Sequence, residues 1–282
     1  MIGEDLASKL VYSTVRLTCE NEKYISSGTA FFMSYFYEDK NITALVTNKH
    51  VVCSDKKKAI KFKKMKFSLC TNENGKPKDD KKIDFVVDDL DKRILFHLDE
   101  SVDLCFVFVN DLIEEKKNNG EQPHYKSLNT NLILKNSDAS ELSPIEDIIM
   151  IGYPNGLSDE KNNKPIIRKG ITATSYNLDY NGKKEFMIDV ACFGGSSGSP
   201  VFLRKTVLGK EKISNGVSIG LSLSYALLGV LYAGAIKTVD GKIVVNDISC
   251  VDTSVAKMEI MINLGYVIKP CRIMELFEQL NR

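Results

Sequence analysis

Apolar and β-branched residues recur along this chain in short runs separated by turn residues. Those at 11–19, 29–36, 42–47, 83–87, 103–109, 147–152, 166–174, 186–190, 200–203, 227–233 and 243–246 are predicted strands. Their regular spacing implies an antiparallel sandwich or barrel rather than alternating strand and helix units. The pattern changes at the end, where Ile273, Leu276, Phe277 and Leu280 follow Pro270 at helical spacing, which predicts one amphipathic helix. Residues 110–143 are polar and turn-rich, and read as a connector between two β-rich halves. The lysine-rich stretch 56–66 alternates Lys with Ile, Phe and Met, which reads as a solvated edge strand rather than a nucleic-acid patch.

Composition narrows the picture. With 282 residues and 43% hydrophobic content, the chain can bury a sizeable core as one domain or two joined halves. Its 38 basic and 37 acidic residues give a net charge of +1, so neither nucleic acid nor an anionic membrane is an expected partner. No apolar stretch of signal-peptide length opens the chain and none approaches a membrane span, so the expectation is a whole mature chain in the cytoplasm. Seven cysteines, an odd number without a C-x-x-C pair, read as reduced thiols. The pair His50 and Cys53 has no second ligand pair to complete a zinc site, so no metal and no cofactor is expected.

Candidate chemistry sits at three places. Gly194-Gly195-Ser196-Ser197-Gly198-Ser199-Pro200 places a serine in a glycine-flanked loop, where a tight turn can aim backbone N–H groups inward and the hydroxyl into a cleft. His50 stands at the end of the apolar run Ala44-Leu45-Val46-Thr47, where a base could be held rigidly. Asp103 is a lone acid leading into Leu104-Cys105-Phe106-Val107, and burial there needs a partner such as an imidazole N–H. Acyl transfer needs these parts: a hydroxyl, a base, a carboxylate that fixes the base, and donors for an oxyanion. The other histidines read differently, His97 as a half-buried strand position and His124 as part of a surface connector.

The order His, Asp, Ser, with these flanks, resembles the trypsin-like serine protease family, and within it the HtrA-like (DegP/DegS-type) bacterial branch. Ser27-Gly28-Thr29-Ala30-Phe31 resembles the family's S-G-x-G-F strand, Thr47-Asn48-Lys49-His50-Val51-Val52 its T-N-x-H-V-V motif, and Asp103-Leu104-Cys105-Phe106-Val107 its acid strand. Ile151-Gly152-Tyr153-Pro154-Asn155-Gly156 resembles I-G-x-P-x-G, and Lys169-Gly170-Ile171 the G-I strand after it. Residues 189–200 resemble the nucleophile loop, and Gly265-Tyr266-Val267-Ile268-Lys269-Pro270 the segment that ends the second barrel. The resemblance implies an all-β fold of two six-stranded antiparallel β-barrels with a C-terminal α-helix. The layout would be an N-terminal barrel over 1–115, a connector over 116–143, a second barrel over 144–269 and the helix over 270–282.

By position, the resemblance implies a serine endopeptidase with Ser197 as nucleophile, His50 as general base and Asp103 as its orienting acid. The N–H groups of Gly195 and Ser197 would form the oxyanion hole. Ala191, Cys192, Phe193, Tyr232, Ala233, Gly234 and Gly265 would wall the specificity pocket, and because none carries a charge an uncharged residue is expected before the scissile bond. The alternative is a catalytically silent barrel that binds peptides by strand addition. Three departures stand out: Ser196 replaces the acid that pairs with a new N-terminus in zymogen-type relatives, Ser199 replaces a usual glycine, and Tyr232 replaces a usual small or polar residue on the substrate strand, where its ring would narrow the groove; the last two bear on substrate fit. The chain ends twelve residues after Pro270, so the PDZ module common in HtrA-like proteases is not expected. The expected partners are a polypeptide substrate and a regulatory protein that orders a mobile stretch at Phe193-Gly194-Gly195.

Overall fold

The computed structural model describes residues 6–37, 40–53, 62–213, 216–242 and 255–280; residues 56–61 of the lysine-rich stretch and the predicted strand 243–246 lie outside these. The first half runs α1 (Leu6–Tyr12), β1 (Thr14–Glu20), β2 (Ile25–Tyr37), β3 (Lys40–Thr47), α2 (Lys49–Val52), β4 (Lys64–Glu73), β5 (Lys76–Val87), β6 (Ile94–Phe96) and β7 (Cys105–Val107). The connector holds α3 (Asn110–Asn118), β8 (Pro123–His124), β9 (Leu128–Asn129) and α4 (Asn136–Ser140). Then come β10 (Asp147–Gly152), β11 (Ile166–Thr172), β12 (Glu185–Asp189), β13 (Pro200–Ile213), β14 (Gly216–Lys242), β15 (Val255–Ile268) and α5 (Cys271–Gln279).

The expected class holds: two β-sheets, few helices, and a helix at the C-terminal end. The second sheet is a closed six-stranded barrel in the order β10-β11-β12-β15-β14-β13. The first has nine strands rather than six, in the path β5-β4-β1-β2-β3-β7-β6, with β8 added on β4 and β9 on β2. The two additions come from the connector, whose polar residues hide short pairing segments: Cys70 faces His124 and Met33 faces Leu128 in parallel register. His124 is therefore buried, with its ring edge-on to Tyr12 at 4.7 Å, instead of lying on a surface connector. Lys64 and Lys66 alternate with buried Met65 and Phe67 as expected, yet β4 lies between β5 and β1 and is not an edge.

Burial explains the arrangement. One core fills the first sheet around Phe32, Leu45, Met65 and Phe85, and another fills the closed barrel around Met150, Phe186, Val201 and Leu228. A third joins the halves, and α5 supplies much of it: Ile273, Leu276 and Phe277 are fully buried against Phe31, Phe106 and Phe202. Each such side chain contributes about 1.5–3 kcal/mol on burial, which fixes the helix across both halves. The same helix pins the turn before Asp103. Gln279 accepts from the Leu98 N–H at 3.1 Å and donates to the Phe96 carbonyl at 3.1 Å, while Glu275 lies 2.9 Å from His97 Nε2.

His97, expected to be half-buried, is only 3% exposed. Its Nδ1 accepts the Asp99 N–H at 3.1 Å, so the ring proton sits on Nε2, facing Glu275. Burial, the largest influence, lowers its pKa against the opposing effect of Glu275. With both nitrogens committed to the packing of α5 on this turn, His97 is a structural histidine.

Candidate active site

The register of the first sheet brings His50 and Asp103 together. Strand β3 pairs with β7 through Thr47 opposite Cys105, so the residues just past one strand meet those just before the other. After Thr47 the chain makes the single turn α2, which carries His50. The two residues before it are tied to the loop opposite: Asn48 Nδ2 donates to the Asp103 carbonyl at 2.7 Å and Lys49 Nζ to the Asp99 carbonyl at 3.0 Å. Asp103 receives the His50 backbone N–H on Oδ1 at 3.1 Å and lies 2.5 Å from His50 Nδ1 through Oδ2.

This two-point grip determines the tautomer. A carboxylate can only accept, so the proton of a neutral ring is held on Nδ1 and the lone pair is left on Nε2. The Asp103 side chain is 14% exposed and that of His50 29%, so the acid is the more shielded of the two and the ring keeps access to solvent.

Ser197 lies in the loop between β12 and β13. Its setting is fixed by β2, because the Thr29 N–H donates to the Ser197 carbonyl at 2.8 Å. On the preceding residue, a Cβ added to Gly28 would lie 2.6 Å from both methyls of Val51, the neighbour of His50. Two successive residues of β2 thus seat the serine loop and the histidine turn. The Ser197 hydroxyl rests 3.4 Å from the Tyr232 carbonyl. Tyr232 belongs to β14, and its phenol, raised in pKa chiefly by burial and by Glu185, also feels the charge of Asp103. Residues 28 and 29 of β2 thus touch both the turn that carries His50 and the loop that carries Ser197.

Peptide planarity then orients the backbone donors. In a trans peptide the C=O and the following N–H point in opposite directions. The Gly194 carbonyl accepts the Asn155 N–H at 2.5 Å, which turns the Gly195 N–H away from the 153–157 turn. The Ser196 carbonyl accepts the Ser199 N–H at 3.0 Å, which turns the Ser197 N–H the other way. Among the described residues neither N–H has an acceptor. Between them, the Gly195 carbonyl receives the Thr29 hydroxyl at 3.0 Å. The stretch expected to be mobile before substrate or a partner arrives is held here by bonds on the Gly194, Gly195 and Ser196 carbonyls.

Glycine is required at two of these positions. Gly195 has φ +80°, and a Cβ there would meet the Tyr153 carbonyl oxygen at 2.6 Å; Gly198 has φ +87°, with the Thr29 carbonyl oxygen in the way. We expect Gly195→Ala to lower kcat for peptide hydrolysis by about 10²–10³-fold, the loss typical of one oxyanion donor, while far-ultraviolet circular dichroism stays unchanged. Because the alanine keeps the N–H and acts by displacing it, unaltered kcat would show that turnover does not depend on where this N–H points.

The residues expected to wall a pocket are brought together in part. Gly234 pairs with Gly265 across β14 and β15, and buried Cys192 packs against both, 2.7 Å from a Cβ placed on Gly265 and 3.4 Å from one on Gly234. Ala233 pairs with Tyr266 beside them. Burial pushes the Cys192 thiol up to about 11, so it stays protonated. Phe193 is exposed, and Ala191 half-buried. The Tyr232 hydroxyl donates to Glu185 Oε2 at 2.9 Å and its ring lies 6.2 Å from that of Tyr266, so only its carbonyl faces Ser197. Ser199, expected to bear on substrate fit, is completely buried against Gly152.

Three residues of this region escaped the sequence reading. Thr29 occupies the variable position of S-G-x-G-F yet bonds to Gly195, Ser197 and, through its hydroxyl, the Tyr153 N–H at 3.1 Å. Asn155, at φ 49°, supplies the N–H that orients Gly194. Arg168 alternates with Gly170 and Thr172 on the less exposed face of β11, a parity that could have marked it, and its guanidinium donates to the Ala191 carbonyl. No group of three His, Cys, Asp or Glu side chains able to hold a metal occurs among the described residues.

Residues 28–208 match the family model described as a trypsin-like peptidase domain. No curated protein matches the chain. Among solved structures, it is similar to the thermostable serine protease AL20 from an extremophilic microorganism, at 11% identity and a TM-score of 0.49, over 96% of this chain and 97% of that one. It is also similar to the protease Anisep from Arthrobacter nicotinovorans, at 11% identity and 0.46, over 92% and 90%. Tobacco vein mottling virus protease resembles it at 8% identity and 0.48, over 95% and 82%.

Proposed function

Because the chain belongs to the trypsin-like peptidase domain family, we propose that it is a serine endopeptidase that hydrolyses polypeptides through Ser197, His50 and Asp103. The observation that carries this reading is the double hydrogen bond from His50 to Asp103, which leaves the lone pair of a neutral ring on Nε2; the seating of the histidine turn and the serine loop on adjacent residues of β2 supports Ser197 as its partner. In the first step the Ser197 hydroxyl oxygen attacks the scissile carbonyl carbon as its proton passes to His50 Nε2. Asp103 stabilises the imidazolium, and the N–H groups of Gly195 and Ser197 receive the developing oxyanion. The C–N bond then breaks, Nε2 returns the proton to the leaving amine, and an acyl-enzyme remains. Water, deprotonated by the same nitrogen, releases the acid and restores the hydroxyl.

The motif matches, taken with the absence of an acid at Ser196, favour the HtrA-like branch over zymogen-activated relatives. An odd number of cysteines without a C-x-x-C pair favours a reducing compartment such as the cytoplasm. The test of the catalytic reading is labelling with a fluorophosphonate, which forms a phosphorus–oxygen bond to an activated serine as fluoride leaves. Stoichiometric labelling of the wild-type chain on the peptide containing Ser197, and none in Ser197→Ala, is expected. Label that persists in the variant, or no label at all, contradicts the assignment and leaves peptide binding without catalysis.

A further inference from the structure

Arg168 is a cation without a carboxylate. Its guanidinium donates to the Ala191 carbonyl and lies 5.0 Å from the centre of the Phe193 ring, while no acid among the described residues pairs with it. Its neighbours show what an ordinary ion pair looks like in this strand: Lys169, on the opposite face, meets Asp147 at 2.8 Å. Asp189, exposed at the end of β12, forms no ion pair with Arg168. Burial holds the Arg168 pKa below its ordinary value, and only the nearby Cys192 works against that. One carbonyl and one aromatic face compensate a guanidinium incompletely, since its planar fork is matched by a carboxylate.

The place of this charge gives it a role. Ala191, Cys192 and Phe193 lead directly into Gly195 and Ser197, and Cys192 closes against Gly234 and Gly265. A substrate whose carbonyl carbon is at Ser197 Oγ, with its oxygen on the Gly195 and Ser197 N–H groups, has the side chain of its acyl residue beside this segment. We infer that Arg168 selects substrates with an acidic residue, Glu or Asp, immediately before the scissile bond. The inference rests on the protease reading above and replaces the expectation of an uncharged residue, which considered only the segment's own side chains and not what reaches it from β11. A substrate carboxylate supplies the missing partner of the guanidinium, and a Lys or Arg in its place meets a like charge.

The experiment compares quenched fluorescent peptides that differ only in that residue, with Glu, Gln, Asp, Asn, Leu or Lys, cleaved by the wild-type chain, Arg168→Gln and Arg168→Lys. The wild type is expected to cleave the Glu or Asp peptide roughly 10²-fold better in kcat/KM than its amide isostere. Arg168→Gln brings that ratio near one while cleavage of the Gln peptide and fluorophosphonate labelling persist, and Arg168→Lys keeps part of the preference. If Arg168→Gln does not fold, the wild-type profile and Arg168→Lys decide alone. A wild-type preference for Leu, or an acidic preference that Arg168→Gln leaves intact, overturns the inference and spares the protease reading. A wild-type chain that neither labels nor cleaves overturns both.

Discussion

Replacing Ser197 with alanine is expected to lower kcat for peptide hydrolysis by about 10⁶-fold, the scale for loss of the nucleophile in the constellation proposed above. The substitution removes one hydroxyl whose contact in the structure is the Tyr232 carbonyl at 3.4 Å. The bonds that hold the loop come from backbone and from Thr29, so the fold and peptide affinity persist. The check is single-turnover hydrolysis of a quenched peptide together with its binding affinity: lost turnover with unchanged affinity is the expected pair. A fall below tenfold would remove Ser197 from the chemistry. Neither Ser196 nor Ser199 can replace it, because both are buried.

On the same proposal, Asp103→Asn is expected to lower kcat by about 10⁴-fold without unfolding the chain. An amide oxygen still accepts the His50 backbone N–H, so the turn is kept. The amide nitrogen, however, now faces His50 Nδ1 at the position of Oδ2, and as a donor it forces the ring proton onto Nε2. In that tautomer Nε2 cannot take a proton from Ser197. The measurement is kcat against pH for both forms, with thermal unfolding as the control. A variant within tenfold of wild type would make the His50–Asp103 pair a structural contact only.

Much of this site could be read from residue order and flanks, because the chemistry concentrates in short motifs. His50 follows the end of an apolar strand, Asp103 precedes another, and the register of Thr47 opposite Cys105 is what such placement requires. Strand β10 was legible to the residue, since its apolar run is bounded by Asp147 and Gly152. Strands β13 and β14 were not. Their core portions were visible, but the ladder continues through pairs such as Thr206 with Leu223, where neither face is uniformly apolar and cross-strand bonding alone maintains the pairing. Helix α1 was not predicted, and its last two residues, Val11 and Tyr12, were read as the start of a strand, because seven residues with one buried side chain, Leu10, give too little periodicity.

Thr29, Asn155 and Arg168 were hidden for a different reason. Each acts through a partner more than ten residues away: Thr29 on Gly195, Asn155 on Gly194, and Arg168 on Ala191. Local pattern carries no record of such contacts. The nucleophile loop could be recognised from its own glycines, and the bond that orients the Ser197 N–H comes from Ser199 within it, but the one that orients the Gly195 N–H comes from Asn155, elsewhere in the fold.

The most direct test of the catalytic account is a crystal structure of the chain after reaction with a phosphonate fluoride. The account predicts phosphorus bonded to Ser197 Oγ, the phosphoryl oxygen within hydrogen-bond distance of the Gly195 and Ser197 N–H groups, and His50 still gripped by Asp103. An adduct on another serine, or a phosphoryl oxygen turned away from both N–H groups, would contradict it.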